Sequence, residues 1–206
     1  MSKHFVSQRS LMEPYPDNCE RIVVGMGCFW GAERLFWKLN GVWVTAVGYA
    51  GGHTHNPTYD AVCSKQTGHA EVVLVVFDPD VISRQSIIQR FFEGHDPTQG
   101  NRQGNDHGPQ YRSVIYCTQP DQIETTTAFR SQYEPLLQQA GFGPITTDIK
   151  MLEHFYFAEE YHQQYLAKNP NGYCGIGGTD LPHVGNALNA SNLVEPGTPN
   201  TAGWDG

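Results

Sequence analysis

The sequence predicts an α+β domain: a two-layer split-βαβ sandwich of ferredoxin-like plan, followed by a long C-terminal coil. Apolar, β-branched runs and stretches of helical periodicity follow one another as strand, helix, strand, strand, helix, strand, with additions. Segments of Gly, Pro, Asn and Asp punctuate that order. From Asn169 onward the chain is Gly-, Pro- and Asn-rich and has little apolar content. The division is therefore an N-terminal arm (1–19), an α/β domain (20–168) and a Gly-rich coil (169–206).

Each element has its own signal. The arm holds Pro14 and Pro16 with no periodicity and reads as poorly ordered. Arg21 to Met26 is a short apolar run, read as a buried strand. Gly27 opens a turn, and Phe29, Ala32, Leu35, Phe36 and Leu39 recur at helical spacing until Gly41. Val42 to Tyr49 is a second strand, followed by the turn-rich stretch Gly51 to Gly68. His69 to Phe77 is a third strand, stopped by Asp78-Pro79. Ser83 caps a helix through Glu93, with Ile87, Ile88, Phe91 and Phe92 facing a core. A long polar segment, Gly94 to Gln110, precedes a fourth strand, Tyr111 to Cys117. Gln122 to Ala140 is a helix, Ile145 to Ile149 a fifth strand, and Ala158 to Leu166 a short helical piece.

Composition narrows the function classes. Among 206 residues, 13 Lys+Arg against 21 Asp+Glu give a formal charge of −8, and the basic residues are scattered. A nucleic-acid backbone or an anionic membrane surface is a poor partner for such a chain. The longest apolar run, Val72 to Phe77, is far short of a membrane span. Residues 1–20 carry no apolar signal region, which makes the cytoplasm the expected compartment. Nothing in the sequence demands an oligomer, and a monomer is expected. The five cysteines (Cys19, Cys28, Cys63, Cys117, Cys174) are odd in number, irregularly spaced and without a CxxC pair, so a structural disulfide framework is not expected.

Four places carry chemistry. In Gly27-Cys28-Phe29-Trp30-Gly31 a cysteine stands at the junction of strand and helix. A helix N-terminus carries about +0.5 charge and unpaired N–H groups, which would lower the pKa of a thiol placed there. The alternative is a buried core cysteine. In Gly68-His69-Ala70-Glu71-Val72-Val73 a single carboxylate shares a strand face with Val73 and Val75. If that face is buried, the neutral acid is favoured and Glu71 donates a proton near pH 7; if the strand end is open, Glu71 is solvated. The polar segment around His95 to Arg112 is where binding residues tend to sit, and Tyr59 and Tyr111 offer hydroxyl donors. His53, His55, His69, His95 and His107 have no trustworthy ligand spacing, and no metal or cofactor is expected. Finally, Cys174 lies amid Gly172, Gly175, Gly177 and Gly178, either free on the surface or able to reach another sulfur.

Together these motifs resemble the A-type methionine sulfoxide reductases. The resemblance rests on GCFWG (Gly27 to Gly31), GYAGG (Gly48 to Gly52), NPTY (Asn56 to Tyr59), TGHAEVV (Thr67 to Val73), FDP (Phe77 to Pro79), HDPT (His95 to Thr98), QYRS (Gln110 to Ser113) and GYCG (Gly172 to Gly175), in order over about residues 20–178. It implies that Cys28 attacks the sulfoxide sulfur and becomes a sulfenic acid, with Glu71 protonating the oxygen. It implies that Tyr59 and Tyr111 hydrogen-bond that oxygen, that Phe29 and Trp30 hold the S-methyl group, and that Asp106 and Tyr165 line the pocket. Cys174 would close a Cys28–Cys174 disulfide for thioredoxin to reduce, the substrates being oxidised proteins and free methionine sulfoxide. Many relatives carry a further recycling cysteine, whereas none follows Cys174 here. Lys65 stands where a glycine is frequent, which questions the local loop shape. Cys63 matches a position outside the relay, and Cys19 and Cys117 read as bystanders. Two rival readings are a thiol hydrolase pairing Cys28 with His69 or His154, and a metal module built on Cys63, His53, His55 and His69.

Overall fold

A computed structural model describes residues 3–181. The apolar runs become β1 (Glu20–Met26), β2 (Val42–Ala50), β3 (Ala70–Phe77) and β6 (Ser113–Cys117), with a hairpin of β4 (Arg102–Gln103) and β5 (Asp106–His107) between the last two. Two short strands, β7 (Asp148–Met151) and β8 (Phe155–Phe157), follow. The helices are α1 (Phe29–Trp37), α2 (Tyr59–Cys63), α3 (Arg84–Glu93), α4 (Pro120–Gln139) and α5 (Tyr165–Lys168). The main sheet runs β7-β6-β1-β3-β2-β8.

The central order β6-β1-β3-β2 is the predicted split-βαβ plan. β3 is antiparallel to both β1 and β2, so the parallel pair joined through α1 is separated by one strand. β6 pairs antiparallel with β1 and likewise lies one strand away from β3. β7 adds to β6 in parallel, and β8 adds to β2 antiparallel.

β3 is buried along its whole length because both faces of the sheet are covered. Val73, Val75 and Phe77 join Ile22, Val24, Phe36, Ile87, Ile88 and Phe91 beneath the helices. Val72, Leu74 and Val76 join Val23, Val44, Ala46 and Leu11 on the other face. Leu11 belongs to the arm expected to be poorly ordered. The arm is instead fastened down: Arg9 donates to Trp43 O at 2.9 Å and stacks its guanidinium 4.1 Å from the Trp43 ring. His4 meets Thr45 Oγ1 at 3.0 Å.

Local differences from the sequence reading have local causes. The fifth strand begins at Asp148 rather than Ile145 because Ile145 N–H bonds Glu134 Oε1 (2.8 Å) and Thr146 N–H bonds Pro97 O (2.8 Å), taking both from the ladder. Of the expected last helix, Ala158 to Leu166, only Tyr165 and Leu166 are helical, as the start of α5. Gln163 gives its side chain to both backbone groups of Val47, and Gln164 takes a left-handed φ of 48°. Lys65 adopts φ 65°, the region that explains a glycine at that place, and its N–H still bonds Val62 O at 3.0 Å. Residues 169–181 form no helix or strand, and the part of the expected coil beyond them lies outside the described residues. No helix among the described residues is long and apolar enough to cross a membrane.

Leu11→Ala tests the arm's place in the fold. Removing a fully buried leucine is expected to destabilise the protein by about 2–5 kcal/mol in urea unfolding. A change within about 0.5 kcal/mol would make the arm an appendage.

Candidate active site

The chain turns from β1 into α1 through Gly27, whose φ of +98° suits glycine and where a Cβ would lie 2.8 Å from the Gln103 side chain. Cys28 is thereby the N-cap of α1, with a non-helical backbone (φ −54°, ψ 120°), and its carbonyl accepts Ala32 N–H at 3.3 Å. Glu71, one residue inside β3, stands opposite Tyr49 in the register and is 2% exposed. Its Oε2 accepts Phe29 N–H at 3.0 Å, which ties the acid directly to the first turn of α1.

Burial pushes the Glu71 carboxyl up to about 8; the Phe29 hydrogen bond opposes this and the nearby Asp106 charge adds to it. The acid is therefore largely protonated at neutral pH, as the buried-face reading requires. The thiol departs from its expectation. Burial, and next the Glu71 charge, push Cys28 up to about 12, against the N–H groups of Trp30 and Gly31 that would lower it. The helix terminus supplies its donors, but desolvation outweighs them.

The remaining residues gather around this pair. The hydroxyls of Tyr59 and Tyr111 are both raised, first by burial, and both sense the Glu71 charge. Asp106 comes in on the β4–β5 hairpin, where it pairs with Gln103, and burial raises its carboxyl. The long polar segment is thus ordered against the site: the Gln103 amide bonds both backbone groups of Asp96 (3.1 and 2.8 Å). Phe29 is wholly buried, its ring centroid 5.9 Å from Tyr49. Trp30 is half-buried and stacks on Tyr165 at 3.9 Å with a 15° interplanar angle. Cys174 lies against the same helix, its Sγ accepting from Arg34 Nη2 at 2.8 Å. Both thiols are free.

Two members of the cluster went unnoticed in the sequence. Glu159 accepts Tyr59 N–H (2.8 Å) on one oxygen and the Tyr49 hydroxyl (2.9 Å) on the other. Burial alone would raise its carboxyl, but those bonds prevail and hold it below the ordinary value. His162 accepts Trp30 Nε1–H at Nδ1 (3.1 Å) and lies between Phe29 and Tyr59, with centroids at 5.1 and 4.7 Å; burial keeps it neutral. Their only signal was the polar run Glu159 to Gln164, masked by an apparent helical period.

The rival constellations find other uses. His69 is occupied by Gly52 N–H (3.1 Å) and Thr54 O (2.8 Å), and His55 by the Tyr156 hydroxyl (3.1 Å). His95 is buried between Phe91 O and Ser113 Oγ, both at 2.8 Å. Among the described residues no group of three His, Cys, Asp or Glu side chains is placed to hold a metal ion.

A helix-capping thiol beside a buried neutral acid, with a second free thiol lying against the same helix, is the equipment of a cysteine-dependent oxidoreductase. Comparison with known proteins makes the class specific. Residues 20–183 match the family described as peptide methionine sulfoxide reductase. The chain is 58% identical over 180 residues to the human mitochondrial peptide methionine sulfoxide reductase, covering 87% of this chain and 77% of the relative. It is 62% identical over 179 residues to the peptide methionine sulfoxide reductase MsrA of Agrobacterium fabrum, covering 86% and 83%. The solved methionine sulfoxide reductase A of Corynebacterium diphtheriae superposes with a TM-score of 0.80 at 43% identity, covering 94% of this chain and 90% of that one. The chain belongs to the peptide methionine sulfoxide reductase family.

Glu71 also leaves a mark on stability. Its folded pKa, about 8, lies above the ordinary 4.5, so the native state holds the proton more tightly and stability falls as pH rises through that interval. Glu71→Gln keeps an acceptor for Phe29 N–H but has no charge to bury. From pH 5 to pH 9 the wild type should lose stability relative to Glu71→Gln, by a few kcal/mol in urea unfolding. Parallel pH curves for the two proteins would refute the buried neutral acid.

Proposed function

We propose that the enzyme reduces the S epimer of methionine sulfoxide, protein-bound or free, to methionine, with Cys28 as nucleophile and Glu71 as general acid. The observation that carries this reading is the Phe29 N–H bond to Glu71, which joins a neutral acid to the helix turn bearing the thiol. A sulfoxide is a poor electrophile until its oxygen is protonated or strongly hydrogen-bonded. Glu71 donates to that oxygen, assisted by the hydroxyls of Tyr59 and Tyr111, and the Cys28 sulfur attacks the sulfoxide sulfur. The thiol proton passes to the carboxylate that Glu71 has just become, which accounts for a resting thiol that keeps its proton. The N–H groups of Trp30 and Gly31 take up negative charge as it develops on sulfur.

The oxygen then moves to Cys28 as the thioether leaves, so thiol plus sulfoxide become sulfenic acid plus methionine. Phe29 and Trp30 form the apolar wall for the S-methyl group, and Asp106 and Tyr165 complete the pocket. An oxygen-binding side fixed opposite a methyl wall admits one configuration at sulfur. Cys174 attacks the sulfenic acid, releasing water and forming a Cys28–Cys174 disulfide, which thioredoxin reduces directly. The biological role is repair of oxidised proteins. The compartment is the cytoplasm, where five free cysteines remain reduced.

The test supplies separate S and R epimers of a methionine sulfoxide peptide with excess dithiothreitol. Only the S epimer should yield methionine. Cys28→Ser should abolish turnover, and Glu71→Gln should lower it by about 10²–10⁴. Cys174→Ser should turn over with dithiothreitol but not with thioredoxin. Consumption of the R epimer, or an active Cys28→Ser, would overturn the assignment.

A further inference from the structure

Resolution requires Cys174 to meet the Cys28 sulfenic acid from a segment with no helix or strand of its own. Its sulfur is nonetheless seated. Arg34, half-buried on α1, donates from Nη2 to Cys174 Sγ at 2.8 Å. A Cβ on Gly31 would lie 3.1 Å from that sulfur and 2.8 Å from Ile176 Cγ2, so the absent side chain leaves the space in which both sit. Ile176 packs against the main core two residues after Cys174. Gly31 and Arg34 are the third and sixth residues after Cys28, a stripe running from the nucleophile along one side of the helix.

We propose that Arg34 is a positioning residue for the second half of the reaction: it holds the Cys174 sulfur over the first turn of α1, within the space left by Gly31, ready to attack Cys28. The inference rests on the relay described above and adds the residue that aims it. In the step served, the S–O bond of the Cys28 sulfenic acid breaks and the Cys28–Cys174 bond forms. The oxygen leaves as water with the proton of the Cys174 thiol. Arg34 makes and breaks no covalent bond in this step. Its N–H suits a sulfur that bears negative charge while attacking, and that charge is gone once the disulfide has formed. Binding the disulfide less firmly than the attacking sulfur favours its release to a reductant.

The two half-reactions separate in a single turnover without reductant. Reduced enzyme is mixed with excess S-sulfoxide peptide, and methionine, dimedone-reactive sulfenic acid and the Cys28–Cys174 disulfide are followed in time. Arg34→Met and Arg34→Gln should form methionine at the wild-type rate but close the disulfide roughly tenfold or more slowly, with sulfenic acid accumulating. Arg34→Lys, which keeps a charged donor, should recover most of the loss. Disulfide closure within twofold of wild type in both neutral variants would overturn the proposal. Loss of methionine formation together with disulfide closure in both would also overturn it, making Arg34 a structural residue of α1. Cys174→Ser separates this from the relay itself: if it is recycled by thioredoxin at the wild-type rate, the relay falls first.

Discussion

The hydrogen bond from Phe29 N–H to Glu71 is the constraint around which the molecule is arranged. It requires β3 to present a carboxyl on its helix-covered face at the position where α1 begins, and so fixes strand register and helix docking together. One register step would turn Glu71 to the other face, among Val72 and Val76, with no helix terminus to meet it. Moving α1 by a residue would replace the cap geometry that places Cys28. A single donor does not compensate for burying a carboxylate, so Glu71 keeps its proton; the thiol beside it, buried and facing that acid, keeps its own. The site thus rests as a pair of neutral acids rather than as an ion pair.

Helix α1 distributes the remaining duties by residue. Its cap is Cys28, the proposed nucleophile, and Trp30 meets His162 and Tyr165. Gly31 and Arg34 face the segment bearing Cys174. Glu33, wholly buried on another side, accepts from Thr45 Oγ1 (3.0 Å) and from Gln164 N (2.8 Å) and Nε2 (2.7 Å). Burial lifts its carboxyl to about 7, and those three donors limit the rise. Gln164 in turn takes Phe5 N–H on its side-chain oxygen (2.9 Å), so the N-terminal arm, β2 and α1 converge on one side chain. The same nine-residue helix therefore sets the chemistry at its start and the frame around it further along.

How much of this was legible in the sequence follows from the range of each interaction. The central strands were readable because β1 and β3 are buried on both faces and must be apolar throughout, and α1 because its core residues recur at helical spacing. Glu71 stood out as the one charge in such a run, and Cys28 as a thiol between glycines. Glu159, His162 and the true shape of residues 158–164 were hidden because Gln163 and Gln164 bind β2 and α1, distant in sequence, and override the local period. Leu11 gave no signal because the arm's few apolar residues (Phe5, Val6, Leu11 and Met12 among them) recur at no regular period, although Leu11 fills a place in the second core. The direction of the Cys28 shift was beyond reach for a related reason: a sequence reveals a helix terminus, whereas the depth at which that terminus is buried is a property of the packed fold.

That reversed shift makes physical sense of the arrangement. A thiol already ionised at rest would react with any oxidant that reached it, because the thiolate is the nucleophilic form. In the proposed mechanism, holding both Cys28 and Glu71 protonated leaves the sulfur quiet until a ligand arrives whose oxygen accepts the Glu71 proton. Only then does a nearby carboxylate exist to receive the thiol proton. A sulfide has no oxygen to begin the exchange, so the reduced product cannot activate the site. On that mechanism, the same burial that opposes the helix terminus in the resting enzyme couples the formation of the nucleophile to the presence of an oxidised sulfur.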